Sequence, residues 1–171
     1  LGSRDFVFVE IVRDIRRRLV ALGGVSEEEY TAVLMQGSGT FGIESVISSA
    51  IPANGKLLVI VNGAYGRRIV QMAQVLKIDT ATLTYEEHSL PDLDELVHTL
   101  TQDSSITHVA AVHCETTSGL MNPVEAIGNI TRRYGKEFLV DAMSSFGAIP
   151  INMETCAIDY LISSANKCIE G

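Results

Sequence analysis

No apolar run in the 171-residue sequence approaches the roughly 18 to 20 residues that a membrane-spanning helix requires, and the first residues lack the basic, apolar and small-residue order of a secretory signal. Membrane insertion and export are therefore not expected, and a cytoplasmic location is. Positive charge is also scarce: 13 Lys and Arg stand against 21 Asp and Glu, for a net charge of -8. That sign opposes non-specific binding to nucleic acid and to anionic membrane surfaces. Cysteine is limited to Cys114, Cys156 and Cys168, an odd number without zinc-like spacing. A disulfide framework and a structural metal are both unexpected, and a reducing compartment fits.

What the sequence does contain is apolar: 46% of its residues are hydrophobic, enough for one sizeable core and hardly two. A single domain, or a piece of one, is expected. Ile11, Ile15, Leu19 and Leu22 recur at helical spacing and predict a helix over residues 5–22. Beyond it, "TAVLMQ" (31–36), "KLLVIVN" (56–62), "ATLTYE" (81–86), "THVAAVHC" (107–114), "EFLVDA" (137–142) and "DYLISSA" (159–165) read as strands. Helices are predicted between them at 41–51, 65–77, 92–101 and 123–134, with Asp92 and Glu95 as a capping box and Pro123 as a first-turn proline. Several strands are apolar throughout, as parallel strands covered on both faces are. The pattern predicts an α/β fold: a mostly parallel sheet with helices on both faces, and ligands beyond the carboxyl ends of the strands.

The stretch "QGSGTFG" (36–42) places Gly37, Gly39 and Gly42 at the G-x-G-x-x-G spacing of dinucleotide sites. A nicotinamide site also needs an acid about 20 residues on, at the end of the next strand, and Asn62-Gly63-Ala64 offers none. The remaining choices are a turn for close strand-to-helix packing or a phosphate cradle, where Ser38 and Thr40 join the free N–H groups of a helix N-terminus. Asp141 ends an apolar strand, where a carboxylate is costly to bury without a partner. Lys167 follows another such strand. A cradle, an acid and an amine at three strand ends match what pyridoxal phosphate demands of a protein.

Five blocks, "GSGT" (37–40), "NGAYGRR" (62–68), "VHCETTSG" (112–119), "VDAMSSFG" (140–147) and "SSANKCIEG" (163–171), closely resemble those of the 2-aminoethylphosphonate:pyruvate aminotransferases. These are class V, fold type I pyridoxal-phosphate enzymes. The resemblance implies that Lys167 forms the Schiff base with pyridoxal 5'-phosphate and acts as the catalytic base, and that Asp141 keeps the ring nitrogen protonated. In it, hydrogen bonding and opposite charge lower the pKa of Asp141. It further implies that Ser38, Gly39 and Thr40 bind the phosphate with Ser164 and Asn166, that Tyr65 and Met143 flank the ring, and that Thr116 reaches its phenolic oxygen. On their own, Tyr65 reads as a half-buried aromatic, Met143 as core filler and Thr116 as a turn residue. His113 and Cys114 read as packing or supporting groups, and Arg16, Arg17 and Arg18 as a solvated helix face.

Family members are roughly twice this length, well beyond one domain of about 100 to 200 residues, so residues 1–171 correspond to an incomplete large cofactor domain without the small one. The implied partners are a small-molecule amino donor and a 2-oxo acid, with a homodimer as the working form. Two alternatives stay open: another class V transaminase, using alanine or serine with glyoxylate, and a phosphate-binding α/β module without chemistry.

Overall fold

The computed structural model describes residue 2 and residues 4–171. Along the chain the elements are α1 (Phe6–Leu22), α2 (Gly39–Ala50), β1 (Lys56–Val61), α3 (Ala64–Val75), β2 (Asp79–Thr84) and α4 (Leu93–Gln102). They continue with β3 (Ile106–Val112), β4 (Cys114–Glu115), β5 (Leu120–Met121), α5 (Val124–Arg133), β6 (Glu137–Asp141) and β7 (Tyr160–Ile162). Five strands form one sheet in the order β2-β1-β3-β6-β7, and every neighbouring pair is parallel.

Alternation along the strands sorts the core into two layers, because successive side chains leave a strand on opposite faces. Leu58, Ile60, Val109, Ala111, Phe138 and Val140 pack with Leu96 and Leu100 of α4 and Ile127 of α5. Leu57, Val59, Val61, Ala110, Val112 and Leu139 pack with Ile43 and Ile47 of α2 and with Ile69 and Ala73 of α3. Two faces covered by helices explain why β1, β3 and β6 are apolar without interruption. The predicted fold class is the one observed.

The helix at the N-terminus forms as its spacing predicts, and Asp5 caps it by accepting from Val7 N. Asp92 caps α4, accepting from the N–H groups of Asp94 at 2.8 Å and Glu95 at 3.3 Å. Pro123 stands one position before α5, at its N-cap.

Two expectations about the strands are corrected. Residues 31–36 form no strand: Val33 is 74% exposed, Leu34 46% and Met35 47%, and no described strand lies beside them. An apolar run reports a tendency to be buried, but a strand also needs a hydrogen-bonding neighbour, and that is a property of the whole sheet. Residues 159–165 keep strand geometry only over Tyr160–Ile162, after which the backbone turns. The short antiparallel hairpin of β4 and β5 has no counterpart in the sequence-based elements.

Candidate active site

Because the large sheet is parallel, the segments after β1, β3, β6 and β7 all emerge at one rim, and each carries residues singled out from the sequence. Ser38 is the N-cap of α2: its Oγ accepts from Phe41 N at 3.3 Å, and Gly39 begins the helix, buried. The first N–H groups of a helix have no partner within it, so Gly39 and Thr40 leave donors at the positive end of the helix dipole. Thr40 Oγ1 lies 3.4 Å from Nη1 of Arg68 on α3.

Asp141 closes β6 with 4% of its surface exposed. One carboxylate oxygen accepts from Met143 N at 3.0 Å, and burial, with the charge of Glu115 as a smaller cause, raises the carboxyl to about 6. The direction is opposite to the lowering implied by the resemblance, because no cation faces this acid among the described residues and desolvation dominates. Met143 folds back over Gly39, its Sδ and Cγ filling the space where a side chain at residue 39 would begin.

Lys167 lies in the turn after β7, exposed, and its ammonium meets no carboxylate among the described residues. Ser164 and Asn166 bond to each other, Oγ to Oδ1 at 2.6 Å, and the Ser163 hydroxyl is buried with no hydrogen-bond partner among the described residues. The Cys168 thiol donates to Ser144 O at 3.4 Å, and Ser144 Oγ donates to Cys114 O at 2.8 Å. Those two bonds tie the lysine turn, the acid's loop and the start of β4 together. His113 joins them: its N–H donates to Asp141 O at 2.8 Å and its ring pairs with Ser145 Oγ at 2.9 Å. Burial holds this imidazole below its usual range, so it serves as a neutral packing and hydrogen-bonding group.

Tyr65 is the second residue of α3, half-buried against the layer under α2. Thr116 is exposed in the turn between β4 and β5. The structure thus brings the α2 N-terminus, Met143, Asp141 and the Lys167 turn into one connected set. Tyr65 and the hairpin that carries Thr116 are linked to each other through Glu115, which accepts from Tyr65 N.

The Aminotransferase class-V family model matches residues 3–171. The chain belongs to this family. It is 55% identical, over 167 residues, to a 2-aminoethylphosphonate–pyruvate transaminase of Bacillus cereus, an overlap covering 98% of this chain and 46% of that relative. It therefore spans a little under half the length of the curated relative it matches. Among solved structures, ureidoglycine-glyoxylate aminotransferase of Bacillus subtilis superposes with a TM-score of 0.92 at 25% identity, covering 99% of this chain and 43% of that one. Alanine–glyoxylate aminotransferase of Nostoc sp. gives 0.88 at 28% identity, covering 96% and 43%. The expected fold type I architecture is the one that class V aminotransferase structures display.

Sequence reasoning passed over three groups in this class V site. Glu115, fully buried, accepts from Tyr65 N at 3.2 Å and Gly66 N at 2.9 Å. Its signal was available, since it follows an apolar strand as Asp141 does. Asn62 and Asn122 exchange amide hydrogen bonds of 2.7 and 3.1 Å, fastening the end of β1 to the segment before α5. Arg68 gives no sequence signal, because its approach to Thr40 depends on how two helices pack.

Proposed function

We propose that this chain carries the cofactor-binding part of a pyridoxal-phosphate-dependent transaminase that moves the amino group of 2-aminoethylphosphonate to pyruvate, giving phosphonoacetaldehyde and L-alanine. The observation that carries this reading is the convergence of a buried acid, Asp141, an unpaired amine, Lys167, and the open N-terminus of α2 at one sheet rim. The likeness to the Bacillus cereus transaminase supports the choice of donor.

Two features of the chain fit the cofactor. The buried Ser163 hydroxyl, without a partner just before the Lys167 turn, is a polar group for a ligand to satisfy. The first turn of α2 offers N–H donors, two hydroxyls and the nearby Arg68 cation to a phosphate.

When bound, pyridoxal phosphate supplies an aldehyde that accepts an amine and a ring that accepts electrons from the carbon losing its proton. Ser38, Gly39 and Thr40 would hold the phosphate, together with Ser164 and Asn166. Asp141 would keep a proton on the ring nitrogen, and the resulting positive charge would offset the burial that otherwise raises the acid. Tyr65 and Met143 would orient the ring from its two faces, and Thr116 would donate to its phenolic oxygen. Lys167 Nζ would anchor the cofactor and, when free, would hold and move the proton at the substrate carbon. In this reading the protein works as a cytoplasmic homodimer. Three free thiols and the exposed apolar side chains Phe6, Ile11 and Ile15 of α1 support it.

Borohydride reduction of the cofactor-loaded protein, followed by peptide mapping, places the label on Lys167. A label elsewhere, or none, overturns the mechanism. Donor profiling then ranks 2-aminoethylphosphonate with pyruvate above alanine or serine with glyoxylate, and the reverse order overturns the substrate.

A further inference from the structure

We propose that Glu115 is a positioning residue of this site, whose buried carboxylate clamps the turn bearing Tyr65 to the hairpin bearing Thr116 and so fixes how both side chains meet the cofactor ring. The inference rests on the proposed function for the identity of the ring and on the geometry below for the clamp.

The N-terminus of α3 has no cap of its own. Its N-cap is Gly63, which has no side chain to accept a hydrogen bond. The missing acceptor comes from a strand some 50 residues further along: the two Glu115 oxygens take the N–H groups of Tyr65 and Gly66, at 3.2 and 2.9 Å. A carboxylate at that end of a helix meets both the free donors and the positive end of the dipole. Glu115 is fully buried, and a buried carboxylate is held in place by the donors that satisfy it, because water cannot replace them.

The position leaves no slack. A Cβ at Gly63 would overlap the Glu115 carboxyl, so the glycine that cannot cap the helix also makes room for the group that does. Glu115 is followed directly by Thr116 in the turn that links β4 to β5. One carboxylate therefore fixes the backbone of Tyr65 on one element and that of Thr116 on another. Its charge also adds to burial in keeping the Asp141 carboxyl high, so a third proposed ring contact feels this carboxylate besides Tyr65 and Thr116.

The test uses the full-length protein with and without pyridoxal phosphate. Glu115→Gln keeps the shape but turns one acceptor into a donor facing an N–H. Gly63→Ala displaces the carboxylate and leaves its charge intact. Either variant is expected to speed amide exchange of Tyr65 and Gly66 at least tenfold in the cofactor-free protein and to raise the cofactor dissociation constant at least tenfold. The circular dichroism induced in the cofactor's near-visible band should fall to less than half, with the far-ultraviolet spectrum of the folded protein retained. Faster exchange with unchanged induced dichroism and affinity overturns the proposal and leaves Glu115 a local helix cap. A wild-type protein that takes up no cofactor overturns the proposed function as well, and only that result affects both.

Discussion

The sulfur of Met143 occupies the position that a Cβ on Gly39 would need, so the first turn of α2 and the loop after Asp141 are in contact through the smallest residue available. The proposed phosphate cradle and Asp141 are therefore linked through Met143, and displacing one should move the other.

Gly39→Ala tests that coupling. The obstructing atoms belong to a flexible side chain that can swing away, so the stability loss should be at the low end of overpacking, about 1 kcal/mol. Met143 then turns into the site, and cofactor affinity should fall at least tenfold. Adding Met143→Ala removes the obstruction, and equilibrium dialysis should recover part of the lost affinity. No recovery in the double variant would separate the two residues.

Asp141 predicts an unusual pH dependence. Its carboxyl stands near 6 in the folded, cofactor-free chain against an ordinary value of 3.8. Between those values the native state binds more protons than the unfolded one, so stability falls as pH rises through that window. The loss should be on the order of 2 to 3 kcal/mol at 1.36 kcal/mol per pKa unit, and it should be complete above about pH 6. Thermal melts of the cofactor-free protein from pH 4 to 7 measure it. Asp141→Asn removes the slope, as does loading the cofactor, and a slope that survives the substitution would assign it to another group.

Replacing Ser38 and Thr40 together by Ala removes two phosphate donors and one helix cap. Loss of the Ser38 cap costs about 1 kcal/mol of stability. Two charge-assisted hydrogen bonds, each worth about 1.5 to 3 kcal/mol, imply at least a tenfold weaker hold on pyridoxal phosphate. Calorimetry with NAD should detect no binding to either form. NAD binding to the wild type would mean that the glycine-rich turn has been misread.

Asn122→Ala separates scaffold from site. It leaves Asn62 Oδ1 and the carbonyl of Val112 without the donors they have now. At about 1 to 3 kcal/mol for each unsatisfied buried group, denaturant melts should register a loss of roughly 2 to 6 kcal/mol. Cofactor affinity of the folded fraction should stay within about twofold, because neither asparagine is a proposed cofactor contact.

Most of the fold was legible because its signals are local. β1, β3 and β6 announce themselves as uninterrupted apolar runs, and α4 by the Asp92 cap. Asp141 stood out by the cost of burying a carboxylate at a strand end, and Lys167 only in combination with that acid and the glycine-rich turn. What the sequence concealed depends on pairing across the chain. "TAVLMQ" has the composition of a strand, yet a strand exists only beside another. Glu115 declares its task only when α3 is seen to end above it, and Arg68 only when α3 is seen beside α2. The raised Asp141 carboxyl was equally hidden, since its sign depends on which charges share its cavity.

The bare segment at 31–36 has a consequence for handling the molecule. An uncharged stretch with Val33, Leu34 and Met35 turned to solvent is an apolar surface on which copies of the chain can meet. A net charge of -8 opposes such non-specific contact between copies at neutral pH. Concentrated salt, or acid that protonates the carboxylates, weakens that repulsion while leaving the adhesive stretch untouched. Solutions of this chain should therefore turn cloudy first under those two conditions, and a lysine in place of Val33 should keep them clear for longer.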